Sequence, residues 1–221
     1  MKLKIFRIPI LICKAIYFAV RLFLRPHELD TLINLANQLT DLPAFDAAVE
    51  HLKQDASAKM LIEQRYSPGM PTLEELKNYP ADTFGHDYYK HMSKYGLTVY
   101  PTKFTLDMPE KIYVRERQRE IHDLVHALLD IGITVEEEAK LNAVFMPKGC
   151  SPFTSVIVAG AFFHFLFKRP KELIKLTQFV NDGFNYGETM ASPFAIKWEE
   201  HFHTPTAQLQ QLLGVSARLK S

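Results

Sequence analysis

The stretch Pro109-Glu-Lys-Ile-Tyr-Val-Arg-Glu-Arg-Gln-Arg-Glu-Ile-His-Asp-Leu-Val-His-Ala-Leu-Leu129 decides how the chain is read. It reads as one helix. His122 and His126 stand four residues apart on it, so both imidazoles face one way and can converge on one ion. Asp123, three residues before His126, can serve as a further ligand or as the carboxylate that orients a ligating imidazole. Arg115 and Arg119 extend the same stripe upstream through alternating spacings of four and three. A guanidinium beside a metal can hold a substrate carboxylate or phosphate, and Arg119 is the candidate for that role, ahead of Arg115 and Arg117.

Working downstream, a short loop at Gly132 leads to Thr134-Val-Glu-Glu137, a capping box that opens a helix running towards Met146. The three glutamates that follow Val135 are not equivalent. Glu137 occupies the capping-box position that reaches back to Thr134, and Glu136 reads as a solvated charge in the first turn. Glu138 is free to point back at the histidine pair. The candidate metal site is therefore His122, Asp123, His126 and Glu138. Two imidazoles with one or two carboxylates leave room for water or substrate, which suits zinc first, and also iron(II), cobalt or manganese.

The rest of the chain reads as all-α, a single-domain helical bundle. Its 221 residues carry 26 Lys+Arg against 25 Asp+Glu, enough chain to bury a core without staples. A formal net charge of +1 provides no global nucleic-acid footprint, so nucleic acid is excluded as a partner. Two cysteines build neither a disulfide framework nor a thiolate zinc site, which leaves any metal to His and carboxylate. Leu29 to Leu39 and Pro43 to Arg65 have apolar residues at helical spacing. Ser67-Pro-Gly-Met-Pro71 breaks the pattern, and Thr72-Leu-Glu-Glu75 is another capping box, opening a short helix that stops before Pro80. Thr83 caps a helix ended by Gly96, and Leu97 to Met108 is extended, irregular or a hairpin arm. Pro152 to Phe167 has no charge and reads as a buried central helix. Helices over Pro170 to Val180 and through Leu209 to Leu213 complete the domain, residues 26–221.

Residues 1–25 form a separate amphipathic segment. The first acidic residue is Glu28, and Arg7, Lys14 and Arg21 repeat every seven residues among Ile, Leu, Phe and Val. This predicts a basic amphipathic helix contacting an anionic membrane surface. Lys14 and Arg21 break every uncharged run short of a transmembrane span.

His122-Asp-x-x-His126 followed by eleven residues and Glu138 resembles the metal motif of the coenzyme Q (ubiquinone) biosynthesis protein 4 family. The resemblance extends upstream through Tyr113-Val114 to Arg119-Glu120, and through Leu76 to Pro80, Thr83-Phe84-Gly85 and Tyr88. Downstream it takes in Gly187, Trp198-Glu199-Glu200 and Leu213-Gly214, covering Leu73 to Val215 in all. The family commonly has glycine where this chain has Asp130 and Glu137.

The resemblance implies a ubiquinone or prenylquinone biosynthesis protein that binds a metal and a polyprenyl-tailed quinone precursor. The activity implied is oxidative decarboxylation at C1 of the prenylated hydroxybenzoate ring, with Arg119 pinning the carboxylate that is lost. The alternative is a non-catalytic lipid-binding scaffold organising other quinone-biosynthesis proteins. Gly160, Phe162, Phe163, Phe165 and Phe167 are the candidate lipid-binding residues, because small and aromatic side chains there would let an isoprenoid tail lie along the helix. A homo-oligomer is expected, peripheral on the cytoplasmic face of a bacterial membrane or on the mitochondrial inner membrane. A further alternative is an HD-type metal phosphohydrolase, with His91, His122-Asp123 and Asp182 as its ligands; it leaves Glu138 and the flanking matches unexplained. His86, Asp87 and His91 share one short helix and read as surface or capping groups, and Trp198 reads as core.

Overall fold

The computed structural model describes residues 29–99, 104–149 and 151–215, with Cys13 and Tyr17 besides. The predicted amphipathic helix over 1–25 lies, those two residues apart, outside them. Ten α-helices are found among the described residues, and no strand. They are α1 (Leu29–Thr40), α2 (Pro43–Leu52), α3 (Ala56–Gln64), α4 (Leu73–Lys77), α5 (Phe84–Lys94), α6 (Glu110–Leu129), α7 (Val135–Gly149), α8 (Pro152–Lys168), α9 (Leu173–Thr189) and α10 (Thr206–Leu212).

Local chemistry explains most of these boundaries. Thr72 and Glu75 form a reciprocal capping box at the start of α4, and Thr134 and Glu137 do the same for α7. Thr83 accepts from the His86 amide at the start of α5, and Gly96 ends that helix at φ +64°. The expected helix over Pro43 to Arg65 is two helices. Asp55 interrupts it, accepting from the amides of Ser57 and Ala58 and so starting α3 afresh. The helix expected to end at Val180 continues to Thr189, after a 3-10 turn at Pro170–Glu172. Leu97–Val99 and Phe104–Asp107 form no strand.

Helices α7 and α9 share the most extensive contact among the described helices. A Cβ at Gly183 would stand 2.1 Å from the Lys140 carbonyl, and one at Gly187 2.1 Å from the Val144 carbonyl. Only glycine lets the two backbones approach this way. Helix α8 packs on α7 and α9 through Ala139, Ala161, Phe165 and Leu176. Phe153 and Val156 at its start pack on Leu35 and Leu39 of α1, but Phe163, Leu166 and Phe167 further along are exposed, so α8 is not the fully buried helix its composition suggests.

The main core lies around α6. Val114, Ile121, Leu124, Val125 and Leu128 are fully buried there against Phe84, Tyr88, Met92, Leu141 and Val144. Segment 193–213 then closes over α5. Trp198 is fully buried, as its sequence context suggests, and its indole N–H donates to the Pro193 carbonyl at 2.9 Å. The Gly85 amide donates to the Phe202 carbonyl, where a Cβ would come within 2.9 Å of that oxygen.

Candidate metal centre

The centre is built where α6 ends and α7 begins. Asp130 stops α6 in a left-handed conformation, φ +50°. The chain then doubles back, so the Ile131 amide donates to the His126 carbonyl while the His126 Nδ1–H donates to the Ile131 carbonyl at 2.9 Å. This pair of bonds fixes both the backbone and the ring of His126. With Nδ1 committed to Ile131, Nε2 is the nitrogen left to face the site, where a metal would take its lone pair. The orienting partner of His126 is thus a backbone carbonyl rather than Asp123.

Four polar atoms of three side chains meet at this point. The Nε2 atoms of His122 and His126 are 3.2 Å apart, and the two Glu138 oxygens stand 3.4 Å from them, one each. Ligand atoms about 2.0–2.1 Å from a tetrahedral ion lie about 3.3–3.4 Å from one another, so these separations are of the size such a site requires. Asp123 flanks it, its carboxylate within 4.8 Å of both imidazoles' ligand atoms. Glu138 reaches the site because the Thr134–Glu137 box sets the first turn of α7, and the Glu138 amide donates to the Thr134 carbonyl at 2.8 Å.

The electrostatics are those of a site short of positive charge. Burial pushes the Glu138 carboxyl up, but hydrogen bonds and charge from His122 and His126 outweigh it and leave the group well below the ordinary carboxylate range. Burial lowers the pKa of His122, whereas the hydrogen bond and charge of Glu138, with Asp123 nearby, leave it raised. Protons on imidazole do here what a divalent ion does more strongly.

The arginines divide into separate roles. Arg119 is half-buried on α6, one turn before His122. Arg115 bonds Asn37 at 2.9 Å and Glu116, which ties α6 to α1. Arg117 is fully buried, donating to Glu120, to both oxygens of Glu199 and to the Ile196 carbonyl. Glu136 is not the solvated charge expected. Only 8 % exposed, it accepts two hydrogen bonds from Arg169 at 3.0 and 3.2 Å, because α8 ends beside the first turn of α7.

The five candidate lipid-binding residues separate by face. Phe165 is fully buried beneath the Arg169 guanidinium, and Phe162 packs partly into the α7–α8–α9 core. Phe163 and Phe167 are 58 % and 68 % exposed, and a Cβ at Gly160 would meet nothing within 4 Å. Helical spacing puts these last three on one face.

His91 was read from sequence as a surface or capping group, but it is buried. Its ring stacks on His126, centroids 5.2 Å apart. Burial and the neighbouring His126 and Lys94 charges lower its pKa to about 4, so it is neutral at pH 7. Its spacing of three before Lys94 on an amphipathic helix carries no sign of this, since the stacking depends on α6. Asp182 joins no metal-ligand group; the one that converges among the described residues is His122, Asp123 and His126. The small-residue spacing of Gly183 and Gly187, four apart, is a signal of close packing that sequence reading missed.

The chain is similar to several known proteins. It is 24% identical over 197 residues to the mitochondrial ubiquinone biosynthesis protein COQ4 homolog of Aedes aegypti, covering 86% of this chain and 69% of that one. It is 29% identical over 133 residues to mitochondrial COQ4 of Saccharomyces cerevisiae, covering 55% of this chain and 38% of the yeast protein. A crystal structure from Nostoc punctiforme, of a protein described as acting in ubiquinone biosynthesis, superposes with a TM-score of 0.81. It covers 92% of this chain and 98% of that one at 19% identity, a likeness of fold. The model of the coenzyme Q (ubiquinone) biosynthesis protein Coq4 family matches residues 10–218, and with nearly the whole chain spanned, this protein belongs to that family.

Proposed function

We propose that His122, His126 and Glu138, flanked by Asp123, hold one divalent transition-metal ion, zinc in first place, and that the site acts on a polyprenyl-tailed ring precursor of ubiquinone. Membership of the family places the chain in ubiquinone biosynthesis. The observation that carries the rest is the convergence of two imidazole Nε2 atoms 3.2 Å apart on one carboxylate, each 3.4 Å from one of its oxygens. When bound, the ion supplies Lewis acidity to oxygens of the substrate.

The protein's own groups supply position. His126, clamped by Ile131, and His122 present their Nε2 atoms from one helix face, and Glu138 supplies negative charge from the next helix. Arg119, one turn upstream, holds the ring carboxylate; the C1–carboxylate bond breaks to release carbon dioxide, a water oxygen takes its place at C1, and dioxygen accepts the two electrons and two protons and leaves as hydrogen peroxide. The isoprenoid tail lies on the open face of α8, over Gly160, Phe163 and Phe167. Exposed side chains of this size in one strip are what an apolar ligand or a lipid surface covers.

Lys168 at the end of α8, Lys171 in the turn that follows and Lys175 at the start of α9 are exposed and suit a peripheral position on an anionic membrane. No helix among the described residues is long and apolar enough to cross one. The relatives are named as mitochondrial proteins, and the inner mitochondrial membrane, or the cytoplasmic face of a bacterial one, is the location proposed.

The same open face favours a second reading, a lipid-holding scaffold for other quinone-biosynthesis proteins whose metal site is structural. Metal content of chelator-free protein, wild type beside His126→Ala, tests the centre. About one ion per chain, lost in the variant, supports it, and an empty wild type offered zinc, iron, cobalt and manganese overturns it. Single-turnover conversion of a carboxylated prenyl-phenol then separates the two readings. Conversion lost in Arg119→Gln marks the enzyme, and tail binding without conversion marks the scaffold.

A further inference from the structure

His91 has no part in the site as described so far, yet it carries an unexplained polar atom. The residue is 8 % exposed, and its Nε2 is buried with no hydrogen-bond partner among the described residues. The ring is held between two aromatic neighbours, Tyr95 at 4.9 Å on its own helix and His126 at 5.2 Å on α6, the His126 ring inclined by only 24°.

Packing alone does not call for a histidine there. A phenylalanine offers a flat ring of similar size and no polar atom to desolvate, whereas a buried nitrogen left unpaired keeps its full desolvation penalty. Native interiors seldom leave such an atom unsatisfied without a functional reason or a bound molecule. The charged groups facing His91 are Lys94 from its own helix, Asp130 from the end of α6 and Glu138 from α7, and none of them bonds to Nε2. Among the described residues no group fills that place, and a bound molecule would. The ring that His91 stacks on is one of those proposed to hold the ion, so that molecule enters at the centre.

We propose that His91 is a ligand-contacting residue of this centre, its Nε2–H donating to an oxygen of the carboxylate or phenol-type group that completes the metal site. The assignment rests on the metal-binding reading above. It gives the site a neutral donor on α5 in addition to the groups on α6 and α7, and the stack on His126 fixes where that donor stands.

The full chain loaded with cobalt(II) and titrated with acetate tests the assignment, since the visible cobalt bands respond to an oxygen ligand. Wild type, His91→Phe and His91→Gln are compared for cobalt stoichiometry, thermal midpoint and acetate dissociation constant. His91→Phe is expected to keep one cobalt per chain and an equal or higher midpoint, yet bind acetate about tenfold more weakly, the loss of one hydrogen bond to a charged group. His91→Gln, with an amide N–H of similar reach, recovers much of that affinity.

Equal acetate affinity in wild type and His91→Phe, or a wild-type centre indifferent to acetate, overturns the assignment while leaving the metal centre intact. Wild type that takes up no cobalt overturns the metal reading and this inference together. Should His91→Phe not fold, His91→Leu takes its place: acetate bound about tenfold more weakly at full cobalt loading supports the assignment, and equal affinity overturns it.

Discussion

Arg117, on the helix that carries His122 and His126, donates to both carboxylate oxygens of Glu199, 82 residues further along the chain. It also holds Glu120, one turn on, and its guanidinium lies 5.7 Å from the centre of the Tyr66 ring. One buried cation thus binds two carboxylates and ties the C-terminal segment to the metal-site helix. Burial raises the pKa of Glu120 even against the Arg117 charge.

Removing Arg117 leaves two buried carboxylates without their counter-charge. Arg117→Met is expected to cost about 3–5 kcal/mol, the range for breaking a buried pair from one side. Replacing Arg117, Glu120 and Glu199 together by apolar residues of similar volume should recover most of that loss. Urea denaturation midpoints of the single and triple variants check this, and a triple variant no better than the single one would show that the hydrogen bonds, not the desolvated charges, dominate.

At the proposed centre metal and proton would compete for His122, and their effects on stability are expected to have opposite slopes. Burial lowers its pKa, but Glu138 and Asp123 leave it raised above 6.5, so in the metal-free chain the His122 contribution is complete below pH 6.5 and is lost as pH rises through the folded value. Metal needs the neutral imidazole, so its stabilisation grows over the same rise. Zinc at a hundred times its dissociation constant is expected to add about 2.7 kcal/mol. Melts at pH 6 and pH 8, with and without zinc, read both slopes, and His126→Ala should show neither the zinc effect nor its pH dependence.

Glu136 and Arg169 join the first turn of α7 to the end of α8, with side-chain exposures of 10% and 33%. Burial raises the Glu136 pKa, and the Arg169 hydrogen bonds and charge outweigh that and lower it. A depressed carboxylate contributes stability that is present above its unfolded value of 4.5 and lost as pH falls through the folded one. Arg169→Leu is expected to cost about 1–3 kcal/mol at pH 7 and to flatten this acid limb. Stability measured from pH 3 to 7 in both proteins distinguishes the pair from a surface contact, which would contribute little at any pH.

Substitution at Gly187 should be felt along the whole α7–α9 seam. A Cβ there would sit 2.1 Å from the Val144 carbonyl and 2.9 Å from the Pro147 ring, and both are held by α7 itself. Backbone cannot yield as a side-chain tip can, so Gly187→Ala is expected to lose about 3 kcal/mol, at the upper end of overpacking costs. Gly160→Ala, which meets nothing within 4 Å, is the matched control and should stabilise α8 by up to about 1 kcal/mol.

What is legible in the sequence is what depends on near neighbours along the chain. The boxes at Thr72 and Thr134 are formed within four residues, and the shared face of His122 and His126 follows from helical period alone. Glu138 faces them because the turn at Asp130–Ile131 and the Thr134 box are local too. Glu136 was misread because its partner is 33 residues away, and Arg117 because its partner is 82 away. Helix α8 is apolar all round, so its pattern does not tell that Phe165 is buried and Phe163 exposed. His91 is the clearest case, since only the packing of α5 on α6 reveals its buried nitrogen.

Asp130 bears on both stability and metal binding. It stands at φ +50°, where an L side chain is strained, and puts a negative charge at the C-terminal end of α6, against the helix dipole. Asp130→Gly relieves both, offset in part by the greater freedom of glycine in the unfolded chain, for a net gain of about 0.5–1 kcal/mol. The turn itself is kept, so Ile131 still clamps His126 and metal affinity should change less than threefold. Asp130→Val keeps the strain and adds β-branching, and should lose about 1–2 kcal/mol. Because the displaced Ile131 carbonyl is the partner of His126 Nδ1, its metal affinity should fall by about tenfold or more, the usual effect of losing a group that orients a ligand. Thermal midpoints beside zinc competition titrations of the two variants test the coupling. A stability loss in Asp130→Val with unchanged zinc affinity would show that the turn holds the helix end and leaves the ring of His126 to other contacts.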